Sequence, residues 1–178
     1  MGSGRRLGFL RDIGNFRFKI WLDGNADKFL SEVGVVEDMS VLDFGCGSGR
    51  YSIAAARLVG GRGRVYSLDV DGEALKRLSK AIADEKVMNI STIISKGGSS
   101  LPLDDVTLDH VLLIDVLQEI SDVDGLLKEA MRVLKGDGTL TVFPMHLHAD
   151  DVIKIASRAG FKLKGRMNDK RILLFAKA

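Results

Sequence analysis

The stretch that decides the fold is VLDFGCGSG, residues 41–49. It begins with a short apolar run, which is typical of a buried strand, and continues with glycines at alternate positions. Residues 50–59 are rich in alanine, isoleucine and leucine and end at Gly60, which predicts a helix with a glycine stop. A strand, a glycine-rich turn and a helix in this order predict a backbone that a ligand can approach closely.

The rest of the chain repeats the alternation of short apolar runs with longer helical stretches. Strands are predicted at 41–44, 65–70, 90–95, 109–114 and 139–143, with helices at 50–59, 72–86 and 122–134, the last stopped at Gly136. A helix over 151–159, capped by Asp150 or Asp151, precedes two strands near 161–167 and 171–176. Strands joined by a helical crossover are parallel, whereas the last two strands have no helix between them and should form an antiparallel pair. We therefore expect a doubly wound, three-layer α/β/α sandwich with one antiparallel strand inserted in its sheet.

The composition of the chain excludes several classes of protein. A chain of 178 residues that is 46% hydrophobic can form one continuous core, so disorder is excluded. Cys46 is the single cysteine, which excludes a disulfide scaffold, and the scattered histidines form no metal constellation. The formal net charge of +2 is too small to attract nucleic acid strongly. No apolar run approaches the roughly 18 residues that a membrane-spanning helix needs. We expect a single cytoplasmic domain without a metal.

Three charged residues around the glycine turn narrow the choice of ligand. Arg50 stands where a dinucleotide fingerprint has its third glycine, which argues against a nicotinamide cofactor. Asp43 lies just ahead of the glycines, where a carboxylate repels a pyrophosphate and attracts an ammonium or sulfonium group. Asp69 ends the second strand, where an acid can accept hydrogen bonds from both hydroxyls of a ribose. These residues describe a ligand with a ribose, a positive centre and no pyrophosphate.

Four segments of the chain together resemble the class I S-adenosylmethionine-dependent methyltransferases. They are VLDFGCGSGRYSIAAARLVG, VYSLDVDGEALKRL, LPLDDVTLDHVLLIDVLQEI and EAMRVLKGDGTLTVF, and they occur in the order of the family's motifs. The resemblance covers residues 35–178 and implies a seven-stranded sheet of order 3-2-1-4-5-7-6. It implies methyl transfer from S-adenosylmethionine to a small molecule or another acceptor, with S-adenosylhomocysteine as product. We divide the chain into a helical arm, residues 1–35, and a methyltransferase domain, residues 36–178.

The resemblance also implies which residues hold the cofactor. They are Asp43, Phe44, Gly45, Cys46, Gly47, Asp69, Val70, Gly97, Gly98 and Asp115. The turn would approach the methionine part of the cofactor with Asp43 beneath it, Asp69 would hold the ribose, and Val70 would pack on the adenine. Gly97 departs from the family, which often has an acid there that reaches the adenine amino group. Losing that hydrogen bond weakens binding by about tenfold or less, and Gly98 can still contact adenine through its backbone.

The histidines are the candidates for a general base. His146 and His148 follow the fifth strand, on the side of the sheet where such folds have their cleft, and imidazole titrates near neutral pH. A solvated loop pair is the plainer interpretation of both. His110 lies inside the fourth strand and is expected to be a core residue. Cys46 is expected to be a small buried residue of the turn rather than a nucleophile, because reactive thiols need an electropositive setting.

The N-terminal arm is predicted to contain a basic amphipathic helix. Its apolar face is Leu7, Leu10, Ile13, Phe16 and Ile20, and its basic residues are Arg5, Arg6, Arg11, Arg17 and Lys19. Such a helix can lie on a membrane surface, but packing over the open end of the sheet is the interpretation favoured here. Aromatic residues in this arm, Phe9, Phe16, Phe18 and Trp21, favour a small or apolar acceptor over a nucleic acid. A homodimer through the arm is a further possibility.

Two other functions stay open beside methyl transfer. A cofactor-binding regulatory or partner subunit without catalysis is compatible with Gly97 and with the short acceptor region after the fifth strand. A nicotinamide-dependent oxidoreductase is disfavoured by Arg50 and Asp43.

Overall fold

A computed structural model describes residues 3–97 and 99–178, with side chains described for residues 13–97 and 99–178. The helices are α1 (Ser3–Gly24), α2 (Ala26–Glu32), α3 (Arg50–Val59), α4 (Gly72–Glu85), α5 (Val123–Val133) and α6 (Ala149–Arg158). The strands are β1 (Ser40–Phe44), β2 (Arg64–Asp69), β3 (Ile90–Ile94), β4 (Leu108–Ile114), β5 (Leu134–Phe143), β6 (Phe161–Met167) and β7 (Ile172–Lys177). A short 3-10 turn, Leu117–Glu119, follows β4.

The strands form one seven-stranded sheet in the order β3-β2-β1-β4-β5-β7-β6. Strands β1 to β5 pair in parallel, and β7 lies antiparallel between β5 and β6. The predicted fold class, strand order and antiparallel insertion are therefore confirmed. Because parallel strands end at the same edge, the turns after β1, β2, β3 and β4 meet at the carboxyl edge of the sheet.

Alternation along the strands divides the core between the two faces of the sheet. Leu42 and Phe44 of β1 pack with the residues of α5 and α6 on one face. Val41 packs with residues of α1, α2 and α3 on the other face. Successive strand residues point to opposite faces, so a strand covered by helices on both sides is apolar throughout.

Apart from shifts of one residue, two element boundaries differ from the sequence prediction. Helix α5 ends at Val133, one residue before the predicted end, and β5 starts at once with Leu134 rather than at 139; Leu134 is fully buried and pairs with Leu108 of β4. The helix therefore ends where Leu134 enters the sheet, ahead of Gly136, which was predicted to stop it. His148 occupies the N-cap position of α6. Asp150 and Asp151, predicted as caps, lie in the first turn, where their negative charges interact favourably with the positive end of the helix dipole.

Helix α1 packs on the sheet through a different face from the one predicted. Leu22 is fully buried, the ring of Phe18 lies edge-on to Phe143 at 5.5 Å, and the amide of Asn15 donates to the carbonyl oxygen of Met145 at 2.7 Å. The predicted stripe is exposed at each of its described members, Ile13, Phe16 and Ile20. The prediction that this stripe packs is wrong for these residues, because polar groups such as Asn15 find partners on the buried face; the side chains of Leu7 and Leu10 lie outside the described residues.

Candidate functional site

A cavity of about 400 Å³ opens at the carboxyl edge of the sheet, beside the ends of β1, β2 and β4. Residues expected from the sequence to hold the cofactor line it: Phe44, Gly45, Gly47, Asp69, Val70, Gly97 and Asp115. Asp43 and Cys46 are not among the lining residues, and Gly98 lies outside the described residues. The position agrees with the rule that ligands of open α/β sheets bind beyond the carboxyl ends of the strands, where the strand order reverses.

The three glycines of the turn serve two different purposes. Gly45 has a φ of +72°, and a Cβ on it would lie 2.5 Å from Cγ2 of Val116. Gly49 has a φ of +87°, and a Cβ on it would overlap Cδ1 of Leu78. A Cβ on Gly47, by contrast, would meet no atom of the described residues within 4 Å. Gly45 and Gly49 are therefore needed for packing, whereas Gly47 leaves open the space that a ligand can occupy.

Asp69 is fixed at the cavity wall by the backbone of two turns. Its Oδ2 accepts a hydrogen bond from the backbone N–H of Gly47 at 2.7 Å, and its Oδ1 accepts one from the backbone N–H of Asp71 at 2.9 Å. A carboxylate offers about four acceptor positions, so two remain for the hydroxyls of a ribose. The bond to Gly47 also ties the end of β2 to the glycine turn.

Asp43 is buried at the end of β1, behind the cavity. Its Oδ2 accepts a hydrogen bond at 2.6 Å from the hydroxyl of Ser52, which in turn accepts one at 2.7 Å from the hydroxyl of Ser67. Burial raises the pKa of Asp43 to about 6, and the hydrogen bond from Ser52 only partly offsets this. Asp43 is thus a poorly solvated acid whose negative charge a nearby cationic ligand would stabilise.

Cys46 turns its side chain away from the cavity. It packs in a cluster with Ile53, Leu75 and Leu78, and burial raises the pKa of its thiol far above the usual range. The expectation of a small buried residue is confirmed, and a role as nucleophile has no support. Its backbone remains part of the turn, where the N–H of Cys46 donates to the carbonyl oxygen of Leu68 at 3.1 Å.

Asp115 follows β4 in a strained conformation that the sequence did not predict. Its φ is +58°, and its N–H donates to the carbonyl oxygen of Phe143 at 3.0 Å. The amide of Gln118 donates to both the carbonyl oxygen and Oδ1 of Asp115, each at 2.9 Å. Oε1 of Gln118 is buried and has no hydrogen-bond partner among the described residues. A left-handed aspartate held in this way is a form of backbone strain common at ligand sites.

The far end of the cavity suits a flat apolar ring. Val70 is 64% exposed although it lines the cavity, so it offers an apolar surface that a bound ring would cover. Gly97 has a φ of +85° and open space at its Cβ position among the described residues. Arg77 of α4 and Ser121 also line the cavity and were not predicted; Arg77 was missed because the periodicity of α4 predicts only its apolar face.

The histidines lie away from this cavity. His146 is exposed after β5, and His148 lines a second cavity of about 280 Å³ together with Asn15, Phe143 and Arg171. The hydrogen bond between Asp115 and Phe143 joins the walls of the two cavities.

His110 is buried in β4 and shares a hydrogen bond of 2.7 Å with Oγ1 of Thr141. Burial lowers the pKa of His110 to about 4, so it is the neutral core histidine expected from the sequence. No three histidine, cysteine, aspartate or glutamate side chains of the described residues gather in a way that could hold a metal. None of the helices in the described part of the chain is long and apolar enough to cross a membrane.

This sheet order, with a glycine turn after β1 and an acid at the end of β2, defines the class of S-adenosylmethionine-dependent methyltransferases. The profile of the methyltransferase domain family matches residues 42–142, and the chain belongs to this family. A demethylmenaquinone methyltransferase of Lactobacillus johnsonii is 30% identical over 141 residues, which are 79% of this chain and 58% of that protein.

Two further similarities agree with this family. A ubiquinone/menaquinone biosynthesis C-methyltransferase of Shewanella frigidimarina is 28% identical over 72% of this chain and 52% of its own length. The crystal structure of an S-adenosylmethionine-dependent methyltransferase from Aquifex aeolicus aligns with a TM-score of 0.75 and 26% identity, over 85% of this chain and 88% of that one. The chain spans about half the length of the curated relatives it matches. Membership of this family leaves the alternative function, a nicotinamide-dependent oxidoreductase, without support.

Proposed function

We propose that the protein transfers a methyl group from S-adenosylmethionine to a small-molecule acceptor. The observation that carries this proposal is the pair of carboxylates at the glycine turn, Asp69 on the cavity wall and Asp43 buried behind it. Bound S-adenosylmethionine supplies a methyl group on a positively charged sulfur, which needs no acid to leave. The task of the protein is therefore to position the two reactants and to exclude water.

The residues of the cavity divide this task between them. Asp69 would accept the ribose hydroxyls and Val70 would cover the adenine, which fixes the nucleoside. The negative charge of Asp43 would favour the positive end of the ligand, and the open space at Gly47 would admit it. The backbone of Asp115, held by Gln118, would meet the amino group.

The second cavity is the proposed place of the acceptor. Its Phe143 accepts a backbone hydrogen bond from Asp115 of the first cavity, and Pro144 and Leu147 make part of its lining apolar. His148 lies at this cavity and His146 does not, which favours His148 as the base if the acceptor must lose a proton. One curated relative is a demethylmenaquinone methyltransferase and the other a ubiquinone/menaquinone biosynthesis C-methyltransferase, so we propose a quinone-like aromatic acceptor.

Calorimetric titration tests the cofactor first. We expect micromolar binding of S-adenosylmethionine and S-adenosylhomocysteine, no binding of NAD(H), and loss of binding in Asp69→Ala. Absence of binding by the wild-type protein would refute the proposal. A screen of quinol-like acceptors then separates enzyme from binding module, since tight cofactor binding without transfer to any acceptor would favour a non-catalytic subunit.

The role of His148 has its own test. Replacing it with alanine should lower turnover by about 100-fold, whereas His146→Ala should leave turnover unchanged. Equal turnover in both variants would refute the role of His148 as the base.

We also propose a cytoplasmic location and a division of the chain into an arm, residues 1–35, and a domain, residues 36–178. Cell fractionation tests the location, and limited proteolysis tests the division.

A further inference from the structure

The outer face of α1 is apolar and exposed to solvent. We define it by Ile13, Phe16, Arg17, Ile20 and Trp21. Phe16 and Ile20 are each 58% exposed, Ile13 is 42% exposed and Trp21 is 39% exposed. Isolated exposed apolar residues are ordinary, but four on consecutive turns of one helix form a continuous patch of the kind that marks an interaction surface.

The packed side of α1 holds this face outward. Phe18 and Leu22 are anchored in the core, and Asn15 is bonded to the backbone of Met145. Farther along the helix, Oδ1 of Asp23 accepts hydrogen bonds at 2.7 Å from both the hydroxyl of Tyr51 and the ammonium of Lys19. With its inner side fixed in this way, the helix cannot rotate to bury the outer face against its own domain.

The charge of α1 is complementary to an anionic partner. Its sequence carries five basic residues, Arg5, Arg6, Arg11, Arg17 and Lys19, against two acids, Asp12 and Asp23. Arg17 lies within the outer face and is exposed, while Asp23 is turned inward to Tyr51. Beside Gly14, the guanidinium of Arg171 lies 5.0 Å from the ring centre of Phe18 and adds positive charge near the same helix.

Trp21 stands at the border between the two sides of the helix. Its ring stacks on Phe18 at 5.7 Å with an angle of 15° between the planes, and the rest of it is exposed. A half-buried tryptophan beside apolar and basic residues is typical of helices that lie in the interfacial region of a bilayer.

We propose that the outer face of α1 docks on an anionic lipid surface, with Phe16, Ile20 and Trp21 inserted among the acyl chains and Arg17 near the headgroups. A second copy of the chain is disfavoured, because a two-fold interface through this face would bring Arg17 of each copy towards the other. The proposal rests on α1 alone and does not depend on the methyl-transfer activity.

Trp21 is the single tryptophan of the chain, so its fluorescence reports on this face directly. We expect its emission to shift to the blue with phosphatidylcholine vesicles that contain phosphatidylglycerol, and to be quenched when the lipids are brominated. High salt should weaken the binding. Pure phosphatidylcholine vesicles should give a much smaller shift. An unchanged emission with both kinds of vesicle, or an equal shift with both, would overturn the proposal.

The variants identify the residues responsible. Phe16→Ser combined with Ile20→Ser should weaken vesicle binding by about tenfold or more, and Arg17→Glu should weaken it on anionic vesicles. Met88→Ser is the matched control, since Met88 is 91% exposed but lies outside α1, just before the edge strand β3; this variant should bind vesicles as the wild type does. Circular dichroism and thermal unfolding serve as the check that each variant is folded.

Analytical ultracentrifugation tests the alternative that a second copy of the chain covers the outer face of α1. A dimer that Phe16→Ser dissociates, together with no vesicle binding, would overturn the lipid proposal in favour of a second copy. Vesicle binding that survives the double substitution would overturn it as well, because the outer face would then not be responsible. A protein that binds anionic vesicles but not S-adenosylmethionine would refute the proposed function alone.

Discussion

Asp43 and Asp69 are the two carboxylates next to the glycine turn, and their surroundings are opposite. Asp69 lies on the cavity wall and accepts hydrogen bonds from the backbone of two turns. Asp43 is buried and accepts a hydrogen bond from the hydroxyl of Ser52, and burial raises its pKa to about 6. The difference shows that one residue type performs two tasks in one site: Asp69 is a fixed hydrogen-bond acceptor, and Asp43 is a charge that the protein alone solvates poorly.

The largest effect should come from Asp69→Ala. We propose that Asp69 accepts two charge-assisted hydrogen bonds from the ribose, worth about 1.5–3 kcal/mol each. Their loss should weaken S-adenosylhomocysteine binding by about 100-fold or more in calorimetry. Asp69→Asn is the control, because its amide oxygen can still accept from the N–H of Gly47. An Asp69→Ala variant with wild-type affinity would remove Asp69 from the site.

Replacing Asp43 with asparagine should change the stability of the protein and its affinity for S-adenosylmethionine in opposite directions. Above pH 7 the buried carboxylate is ionised at a cost, since its pKa is about 6 in the folded state against 3.8 unfolded. The substitution should therefore raise the free energy of unfolding of the ligand-free protein, by about 3 kcal/mol at most, while it weakens S-adenosylmethionine binding about tenfold. Urea unfolding at pH 8 measures the first effect, and a destabilised variant would contradict it.

The same carboxylate predicts a pH dependence. Because the pKa of Asp43 is raised on folding, its contribution to stability is complete below pH 4 and is lost as the pH rises through about 6. We expect S-adenosylmethionine to bind the ionised form more tightly, so its affinity should fall as the pH drops below 6, by about tenfold in total. The Asp43→Asn variant should bind independently of pH over this range; a profile identical to that of the wild type would point to another group.

The smallest effect should come from Ser67→Ala. The hydroxyl of Ser67 donates to Ser52, which donates to Asp43, so its loss removes one member of a buried chain. We expect a destabilisation of about 1 kcal/mol and an affinity for S-adenosylmethionine about threefold lower, measured by thermal unfolding and calorimetry. Ser91→Ala on the partly exposed strand β3 is the control and should change neither quantity.

The sequence was most informative where backbone geometry decides the structure. The glycines at 45, 47 and 49 and the acid at 69 predicted the turn, the cavity and its position, because tight turns and strand ends restrict which residues fit. The bounds of α3 were predicted to the residue, since Gly60 ends the helix where its apolar pattern ends. The residues proposed to hold the cofactor remain predictions as to their roles.

The sequence was least informative where packing between distant segments decides. The spacing of Ile13, Phe16 and Ile20 predicted one buried face of α1, but Phe18 and Leu22 make the contact with the sheet. Nothing local signals that Phe143, far along the chain, receives Phe18. The start of β5 at Leu134 was missed for the same reason, because its partner Leu108 lies on another strand.

The position of β7 has a consequence for synthesis of the chain. Strand β7 pairs with β5 from Thr139 to Val142, yet β6 is made first. As the chain leaves the ribosome, β5 therefore presents an unpaired edge until Ile172–Lys177 have emerged. All five strands from β3 to β5 in the sheet are synthesised before β7. A stalled or truncated chain would carry an open edge on an otherwise folded domain, which makes β5 the place where nascent chains would associate.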